Sequence, residues 1–359
     1  MKKICFIDYD MSVVGGVECV TAELVNSLAE DYEVHVLSLC LTGNLAYNLD
    51  SRVSFVCMSD SDMRLRSMLK QGIPFISKYI KQNNIDVVFC QGNYPAFISC
   101  LARFLVKAKF VFCDHGALMN QWTQKDIVFM RSVAAHICHK TITLTEQSRK
   151  DYIDRFHIRR KKVQSIMNWV DLNRFHSSVY DSESKKVISA GRLGKEKGFD
   201  NLIKAFSTVA EKHPDWCLDI YGDGEMFEVC KNLIGEYSLE NNIHLMGMSR
   251  NLDELYKQYS MYVLPSYREG LPLVLLEAKA NKLPIVSFDI MTGPREIIRD
   301  GVDGILVEPY DLDKLSNAIC YLIENIDVRK SMSDNSISNI SKFSKDSIRA
   351  QWVELIDSI

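Results

Sequence analysis

The chain has 359 residues, of which 47% are hydrophobic and 25% are charged. These proportions exclude collagen-like and intrinsically disordered classes, and the length suggests two to three domains. The net charge of -3 does not indicate a nucleic-acid partner. That charge is uneven, because residues 1–170 carry 21 Lys and Arg against 16 Asp and Glu, and the remainder carries 22 against 30.

Short apolar runs alternate with longer helical patterns along the chain. The first half predicts strands at residues 3–8, 33–39, 53–58, 85–90, 110–114 and 141–144, with a helix over 16–29. The second half predicts strands at residues 186–190, 218–222, 243–247, 261–265, 284–288 and 304–307, with helices over 199–211 and 344–356. Continuous apolar strands separated by helices indicate parallel sheets covered on both faces.

The pattern pauses near residues 165–185 and then starts again. We therefore predict an α/β protein with two Rossmann-like β/α/β domains that face each other across a cleft, at residues 1–170 and 171–343. Ligands of open α/β sheets bind beyond the carboxyl ends of the strands. The loops that follow the strands are therefore where we expect chemistry.

The most informative loop carries Glu269 and follows an apolar strand. Pro272 stands where the next helix should begin, so free N–H groups near Leu273 and Val274 suit a phosphate. Glu269 lies just outside that helix and Glu277 about one turn inside it. Both carboxylates can therefore accept hydrogen bonds from the hydroxyls of one molecule, although a surface and a capping-region glutamate are the alternative.

A second loop follows the strand that ends near Gly191. Arg192 and Lys197 stand five residues apart before a helix, and Lys195 between them is interpreted as a bystander. An arginine can clamp two phosphate oxygens and a lysine adds a point charge. A solvated basic loop is the alternative. The loop has neither the Walker A nor the GxGxxG spacing, so ATPase and dehydrogenase functions lose their usual support.

The segment PSYREGLPLVLLEAKA at residues 265–280 resembles the signature of retaining GT-B glycosyltransferases of the "glycosyl transferases group 1" family. Further family motifs occur in order, so the resemblance covers essentially the whole chain. It implies that domain 171–343 binds a nucleotide sugar and that domain 1–170 binds the acceptor. It also implies that a C-terminal helix at 344–359 crosses back to the first domain.

The resemblance implies four catalytic residues. Glu269 would contact hydroxyls of the donor sugar, while Arg192 and Lys197 would neutralise the donor diphosphate. His115 closes a central strand at a glycine turn and would contact a sugar hydroxyl or support charge separation, although a lone histidine is usually structural. Glu277 would hold the nucleotide ribose.

Several loops are predicted to line the donor site by the same resemblance. The paired glycines of the first βα turn would approach the donor phosphates, although a simple tight turn is the alternative. Loops after two strands of the second domain would hold the nucleobase. The predicted donor-binding residues are Gly15, Gly16, Arg192, Lys197, Gly222, Met248, Arg250, Glu269, Gly270, Leu271, Leu273, Val274 and Glu277.

The run Asp8-Tyr9-Asp10 is formally a DxD motif, which binds metal in another glycosyltransferase fold. Such three-residue matches are common, so we predict no metal and no cofactor. The histidines near Cys138 lie in a helix-like stretch without a second ligand pair and are interpreted as structural. Eleven scattered cysteines without a CxxC pair indicate reduced thiols in a cytoplasmic protein.

The predicted function is transfer of a hexose or N-acetylhexosamine from a nucleoside diphosphate sugar to a glycan by a metal-independent, retaining hexosyltransferase. The GP-x-E stretch at residues 293–296 favours UDP, by resemblance to family members that use UDP-sugars. Two alternatives remain open: a UDP-sugar epimerase or hydrolase of the same fold, and a non-catalytic subunit that binds nucleotide sugars. The intact pair Glu269 and Glu277 favours transfer.

Two basic segments bear on the acceptor, at residues 64–70 and 157–162. Leu65, Met68 and Leu69 share a helical face flanked by cations, as in a membrane-surface helix. A solvated helix and an ordinary basic connection are the alternatives. If these segments bind anionic lipid, they would bring a peripheral protein to the inner face of the plasma membrane. A lipid-linked glycan acceptor would then suggest capsule, exopolysaccharide or other surface polysaccharide biosynthesis.

Overall fold

The computed structural model describes residues 1–175, 180–249 and 252–359. Strands and helices alternate through these ranges, and the chain divides into two compact units. The first unit comprises Met1–Asn168 and Ile348–Ile359, and the second comprises Trp169–Ser347.

The first unit is built on a parallel sheet. Its strands are β1 (Lys3–Asp10), β2 (Glu33–Cys40), β3 (Ser54–Cys57), β4 (Val87–Gln91), β5 (Lys109–Asp114), β6 (Lys140–Thr143) and β7 (Val163–Ser165). They lie in the order β3-β2-β1-β4-β5-β6-β7. The main helices between them are α1 (Gly16–Leu28), α2 (Leu65–Asn83), α3 (Asn93–Ala102), α4 (Lys125–Ile137) and α5 (Glu146–Phe156). Helices cover both faces of the sheet, so its central strands are buried throughout.

The second unit repeats this plan with six strands. They are β8 (Lys186–Ala190), β9 (Cys217–Tyr221), β10 (Ile243–Gly247), β11 (Met261–Leu264), β12 (Ile285–Phe288) and β13 (Gly304–Val307). Their order is β10-β9-β8-β11-β12-β13, and each neighbouring pair is parallel. The helices are α6 (Phe199–Lys212), α7 (Phe227–Glu236), α8 (Leu252–Leu255), α9 (Leu273–Ala280), α10 (Pro294–Ile297), α11 (Leu312–Glu324) and α12 (Ile326–Ser336).

The predicted class, α/β with two Rossmann-like sheets, is confirmed. The predicted strands coincide with observed ones to within two residues at each end, because buried parallel strands are continuous apolar runs. Strand β7 was not predicted. Its sequence Val-Gln-Ser offers one apolar side chain, and it lies at the edge of the sheet, where less burial is needed.

The last helix, α13 (Lys345–Ser358), places most of its length on the first unit. The Trp352 ring meets Phe89 of β4 edge to face at 5.7 Å between ring centres. The Arg349 guanidinium donates to the carbonyl oxygen of Ser27 at 3.0 Å. These contacts anchor the C-terminal segment beside the N-terminal sheet.

The structure overturns one interpretation of the basic segment at residues 64–70. Met68 is buried in the core of the first unit, and Leu65 and Leu69 pack against that core. The apolar side of α2 therefore faces the protein and cannot serve as a membrane-facing surface. The exposed side chains of this segment are polar, namely Arg64, Arg66, Ser67 and Lys70.

No helix among residues 1–175, 180–249 and 252–359 combines the length and the apolar character that crossing a bilayer requires.

Candidate active site

The carboxyl ends of the second unit's strands carry most of the predicted residues. Ligands of open α/β sheets bind at this edge, where the strand order reverses, and here the reversal lies between β8 and β11. Arg192 and Lys197 follow β8, Gly222 follows β9, Met248 follows β10 and Glu269 follows β11. The predicted Arg250 lies outside the described residues.

The centre of this edge is an ion pair between two predicted catalytic residues. The Lys197 ammonium lies 2.8 Å from the Glu269 carboxylate, although 72 residues separate them in sequence. Glu269 is only 9% exposed. A carboxylate held in such a place needs a cation, because a buried unpaired charge is strongly destabilising. The structure therefore brings together the carboxylate predicted for the sugar and a cation predicted for the diphosphate.

The loop that carries Glu269 is fixed by its neighbours. The Thr292 hydroxyl donates to the carbonyl oxygen of Glu269 at 2.7 Å. Gly293 has φ +98°, and a Cβ there would lie 2.8 Å from Cδ of Pro272 and 3.1 Å from the carbonyl oxygen of Gly270. The GP-x-E stretch therefore packs directly against the glutamate loop, which explains why a glycine is required at position 293.

Helix α9 begins where the sequence predicted, immediately after Pro272. The first N–H groups of a helix have no acceptor within it, so those of Leu273 and Val274 are available for an anion. Leu271, one residue before Pro272, is buried and holds the loop against the core. The start of α9 is therefore suited to bind a phosphate group beside the loop that carries Glu269.

Glu277 on α9 has a partner that the sequence analysis missed. The Tyr256 hydroxyl donates to the Glu277 carboxylate at 3.0 Å, and Tyr256 is fully buried. Burial, with a smaller contribution from the Glu277 charge, raises the pKa of Tyr256 well above its ordinary value. The tyrosine therefore stays protonated and orients one carboxylate oxygen of Glu277.

Arg192 stands apart from this cluster. Its side chain is 70% exposed and donates to the Glu196 carboxylate at 2.6 Å. Glu196 lies inside the predicted motif but was not singled out, and it provides a local counter-charge. Because the Arg192 side chain is exposed to solvent, it can exchange Glu196 for a stronger anion such as a diphosphate.

The loops after β8, β9 and β10 are joined through their backbones. The Gly191 N–H donates to the carbonyl oxygen of Tyr221 at 2.9 Å, and the Gly222 N–H donates to that of Gly247 at 2.8 Å. Gly222 has φ +140°, and a Cβ there would collide with the carbonyl oxygen of Gly191. Gly222 thus has a structural reason to be glycine. Met248, the residue directly after Gly247, is exposed.

The carboxyl edge of the first unit carries the remaining predicted residues. Gly15 precedes α1 and Gly16 is its first residue. The Glu18 carboxylate folds back against Gly15, over the start of the helix. Burial, together with the charge of Glu18, raises the pKa of the nearby Asp8 to about 7, and burial also raises the pKa of Glu18. Two carboxyl groups near the glycine turn, those of Asp8 and Glu18, are therefore shifted by burial toward their neutral forms.

His115 lies at the same edge, after β5. Its Nε2 is 2.5 Å from Oε1 of Gln91, which ends β4. Burial lowers the pKa of His115 to about 4, although Asp114 acts in the opposite direction. The imidazole is therefore neutral at physiological pH. With Nε2–H directed to Gln91, Nδ1 carries the lone pair.

A buried ion pair supports the turn that carries His115. The Arg131 guanidinium lies 3.2 Å from Oδ1 of Asp114, and both side chains are almost fully buried. Tyr152 donates to the other Asp114 oxygen at 2.7 Å. Arg131 also donates to the side-chain oxygen of Asn93 at 2.7 Å and to the carbonyl oxygen of Ala117 at 3.2 Å. One cation of α4 thereby ties together the loops after β4 and β5.

The carboxylates of the DxD run are engaged with protein groups. Asp8 accepts from the N–H of Tyr9, and Asp10 accepts from the hydroxyls of Ser12 and Thr42 at 2.6 and 2.7 Å. Across the described ranges, no three His, Cys, Asp or Glu side chains are grouped as metal ligands. Metal independence of the reaction is a separate matter and stays a prediction.

Two glycosyltransferase families match consecutive parts of the chain. The family described as "Glycosyl transferases group 1" matches residues 173–339, and "Glycosyltransferase Family 4" matches residues 14–174. The two matches follow one another and together span residues 14–339. The chain belongs to the group 1 glycosyltransferases and has their GT-B type of fold.

Three relatives match nearly the whole chain. A Haemophilus influenzae protein described as an uncharacterized glycosyltransferase is 27% identical over 98% of this chain and 99% of its own. The amylovoran biosynthesis glycosyltransferase AmsD of Erwinia amylovora is 27% identical over 99% and 100%. The N-acetylgalactosamine-N,N'-diacetylbacillosaminyl-diphospho-undecaprenol 4-alpha-N-acetylgalactosaminyltransferase of Campylobacter jejuni is 25% identical over 96% of each chain.

Two solved structures illustrate the fold. Sucrose-phosphate synthase from Thermosynechococcus elongatus has a TM-score of 0.89 with 16% identity, covering 100% of this chain and 99% of the other. HepE of Anabaena, solved with UDP and glucose, has a TM-score of 0.86 with 20% identity and full coverage of both chains. At these identities the likeness establishes the architecture.

Proposed function

We propose that this chain is a retaining, metal-independent hexosyltransferase. It transfers a hexose or N-acetylhexosamine from a UDP-sugar to a lipid-linked glycan during assembly of a surface polysaccharide, such as a capsule or an exopolysaccharide. It acts in the cytoplasm, at the inner face of the membrane. The observation that carries the proposal is the Lys197–Glu269 ion pair in front of the α9 N-terminus.

The reaction needs stabilisation of a leaving diphosphate. As the bond between the sugar C1 and the phosphate oxygen breaks, negative charge grows on that oxygen and positive charge grows on the sugar ring. Lys197, Arg192 and the N–H groups at the start of α9 are the groups proposed to meet the negative charge. A preorganised donor of this kind contributes about 3 kcal/mol in the transition state.

The acceptor hydroxyl attacks C1 from the face that the phosphate leaves. A new bond forms between C1 and the acceptor oxygen, the bond from C1 to the phosphate oxygen breaks, and the acceptor proton passes to the leaving phosphate. Glu269 does not act as a nucleophile in this scheme, because its carboxylate is held by Lys197. It accepts hydrogen bonds from sugar hydroxyls and so positions the ring.

Two further residues are assigned to the donor. Glu277, oriented by Tyr256, accepts hydrogen bonds from the ribose hydroxyls. Neutral His115 contacts a sugar hydroxyl through Nδ1, since Nε2 is directed to Gln91. The choice of UDP is supported by the GP-x-E stretch and by the fold's likeness to HepE, which was solved with UDP and glucose.

The acceptor is proposed from the relatives. AmsD acts in amylovoran biosynthesis, and the Campylobacter jejuni enzyme is named for an acceptor linked to diphospho-undecaprenol. A lipid-linked glycan is the acceptor class that both suggest, and an exopolysaccharide is the product class.

The test begins with donor binding. UDP-, GDP- and ADP-sugars are screened by the shift in melting temperature, and a UDP-sugar should give the largest rise. The selected donor is then incubated with an undecaprenyl-diphosphate-linked glycan, and mass spectrometry should show one added sugar residue. The anomeric configuration of the product, measured by NMR, should equal that of the donor, and excess EDTA should leave the rate unchanged.

The same assay separates the alternatives. Release of free or epimerised sugar without an acceptor would indicate a hydrolase or epimerase. Donor binding without any product would indicate a non-catalytic subunit, and an inverted product would refute the retaining mechanism.

A further inference from the structure

The amino ends of β5, β6 and β7 form a surface of different chemistry from the active edge. The three strands are neighbours and parallel, so the segments that lead into them share one edge of the sheet. A 3₁₀ turn at Arg103–Leu105 precedes β5, and another at Arg160–Lys162 directly precedes β7. We call this surface the amino-edge patch, with the members Arg103, Phe104, Leu105, Lys107, Lys109, Lys140, Arg159, Arg160 and Lys161.

Hydrogen bonds connect the segments of the patch. The Arg103 guanidinium donates to the carbonyl oxygen of Ile137, at the end of α4. The Lys140 ammonium donates to the carbonyl oxygen of Lys161 at 2.8 Å. The first bond links the approach to β5 with the end of α4, which leads into β6, and the second links the start of β6 with the turn before β7.

Two large apolar side chains stand out from the patch. Phe104 is 72% exposed and Leu105 is 52% exposed. Single exposed apolar residues are common on protein surfaces. Here, however, the two exposed apolar residues are adjacent in sequence and are flanked by two cations, Arg103 and Lys107.

The charge of the patch is strongly positive. In the part of the chain that the structure describes, no ion pair joins a patch cation to a carboxylate. Two carboxylates lie at the amino side of neighbouring elements, Asp86 just before β4 and Asp154 in the last turn of α5. The patch as defined contains seven cations and no carboxylate, which makes its own charge strongly positive.

We propose that the amino-edge patch docks the protein on a bilayer that contains anionic lipid, with Phe104 and Leu105 inserted at the headgroup level. Cations beside an exposed aromatic and aliphatic pair match an anionic interface, because the cations meet lipid headgroups while the apolar pair enters the acyl boundary. An acidic protein would instead require a complementary pocket for the two apolar side chains.

The structure favours this surface over the other basic segment. Helix α2 follows β3 and so begins at the carboxyl edge, opposite to the patch, and its apolar side faces the core. Arg64, Arg66 and Lys70 are exposed cations without an exposed apolar partner beside them. They provide a matched control of similar charge. The role of membrane docking in the cell rests on the proposed function with a lipid-linked acceptor. Binding to vesicles can be measured independently of that function.

Vesicle sedimentation of the full chain tests the proposal. At low salt the protein should sediment with phosphatidylcholine vesicles that contain phosphatidylglycerol, and far less with phosphatidylcholine alone. The triple variant R159Q/R160Q/K161Q should lower the partition coefficient about 100-fold, at about five-fold per cation. The variant F104S/L105S should lower it about ten-fold or more. The control R64Q/R66Q/K70Q should change it less than about five-fold, the effect of one cation.

Three outcomes would overturn the proposal. They are absence of binding to anionic vesicles, an equal loss in the α2 control, and no effect of F104S/L105S, which would leave only unspecific charge attraction. Equal melting temperatures of all variants verify that each is folded. The transfer assay described above contains no vesicles, so failure of the function and failure of docking give different results.

Discussion

The carboxyl edges of the two sheets hold their polar groups in different ways. In the second unit the predicted charged residues are ion-paired, with Lys197 on Glu269 and Arg192 on Glu196. In the first unit, burial keeps His115 neutral and raises the pKa of Asp8 to about 7. The comparison teaches that the predicted charged residues of the second unit's edge are ion-paired. At the first unit's edge, burial favours the neutral forms of His115 and Asp8, and the Arg131–Asp114 ion pair lies buried beneath them. An ion-paired edge suits a diphosphate, and a less charged edge suits hydroxyl groups.

The largest expected effect concerns the buried pair beneath the first edge. Arg131→Met should lower the free energy of unfolding by about 3–5 kcal/mol, because Asp114 would remain buried without its cation. Urea denaturation followed by circular dichroism measures this. The double variant R131M/D114N should recover part of the loss. A loss below about 1 kcal/mol would mean that water reaches Asp114 and that this edge is not dry.

The next effect concerns the charge-paired edge. Lys197→Met should reduce the rate of sugar transfer about 10²–10³-fold, because a preorganised charge facing the leaving group is lost. The matched control is Lys195→Met, which removes an exposed cation two residues away in the same turn and should leave the rate nearly unchanged. Equal effects of the two changes would show that general charge, and not the pair with Glu269, matters.

The sequence predicted the strands and helices better than it predicted which side chains contact one another. Glu269 and Glu277 were predicted as site residues because an acidic loop between an apolar strand and a proline-started helix is a local pattern. The Lys197–Glu269 contact joins residues 72 apart, and Tyr256 lies 21 residues from Glu277. No local spacing encodes such pairings, since they depend on which strands become neighbours.

Arg131 was missed for a different reason, although a signal was present. It lies next to Met130 and three residues before Ala134, both buried on the same helix. A cation on the apolar face of a helix indicates a buried partner. For α2 the apolar face was interpreted as a possible membrane-facing side, but Met68 lies in the core of the first unit and Leu65 packs against that core.

A smaller effect tests the neutral state of His115. In the wild type it should titrate near pH 4 by NMR, and Gln91→Glu should raise its pKa by about one to two units, because a carboxylate would face Nε2–H. Asp114 already acts in that direction, and its own charge is balanced by Arg131. Gln91→Met is the control and should leave the pKa low.

The titration of His115 also makes the stability of the protein depend on pH in a predictable direction. The pKa of a histidine in the unfolded chain is about 6.5, above the folded value of about 4. The unfolded state therefore binds more protons between these values, and stability falls as the pH drops from about 6.5 to 4. Gln91→Glu should make this fall smaller. An unchanged pH dependence would place His115 in a hydrated environment.

The last effect concerns Asp8 and has the opposite sign. Its folded pKa of about 7 lies above its unfolded value, because of burial and the charges of Glu18 and Asp10, so stability should fall as the pH rises from about 4 to 7. Asp8→Asn keeps an acceptor for the Tyr9 N–H and a partner for Thr21 but carries no charge. Its free energy of unfolding at pH 8 should therefore exceed that of the wild type by about 1–4 kcal/mol in urea denaturation, and the two should match near pH 4.

The control Asp86→Asn changes an exposed carboxylate of the same sheet and should show no such pH-dependent difference from the wild type. If Asp8→Asn destabilises the protein at pH 8, the carboxylate is stabilised in its charged form, and the contrast between a charged edge and a neutral edge fails at this residue.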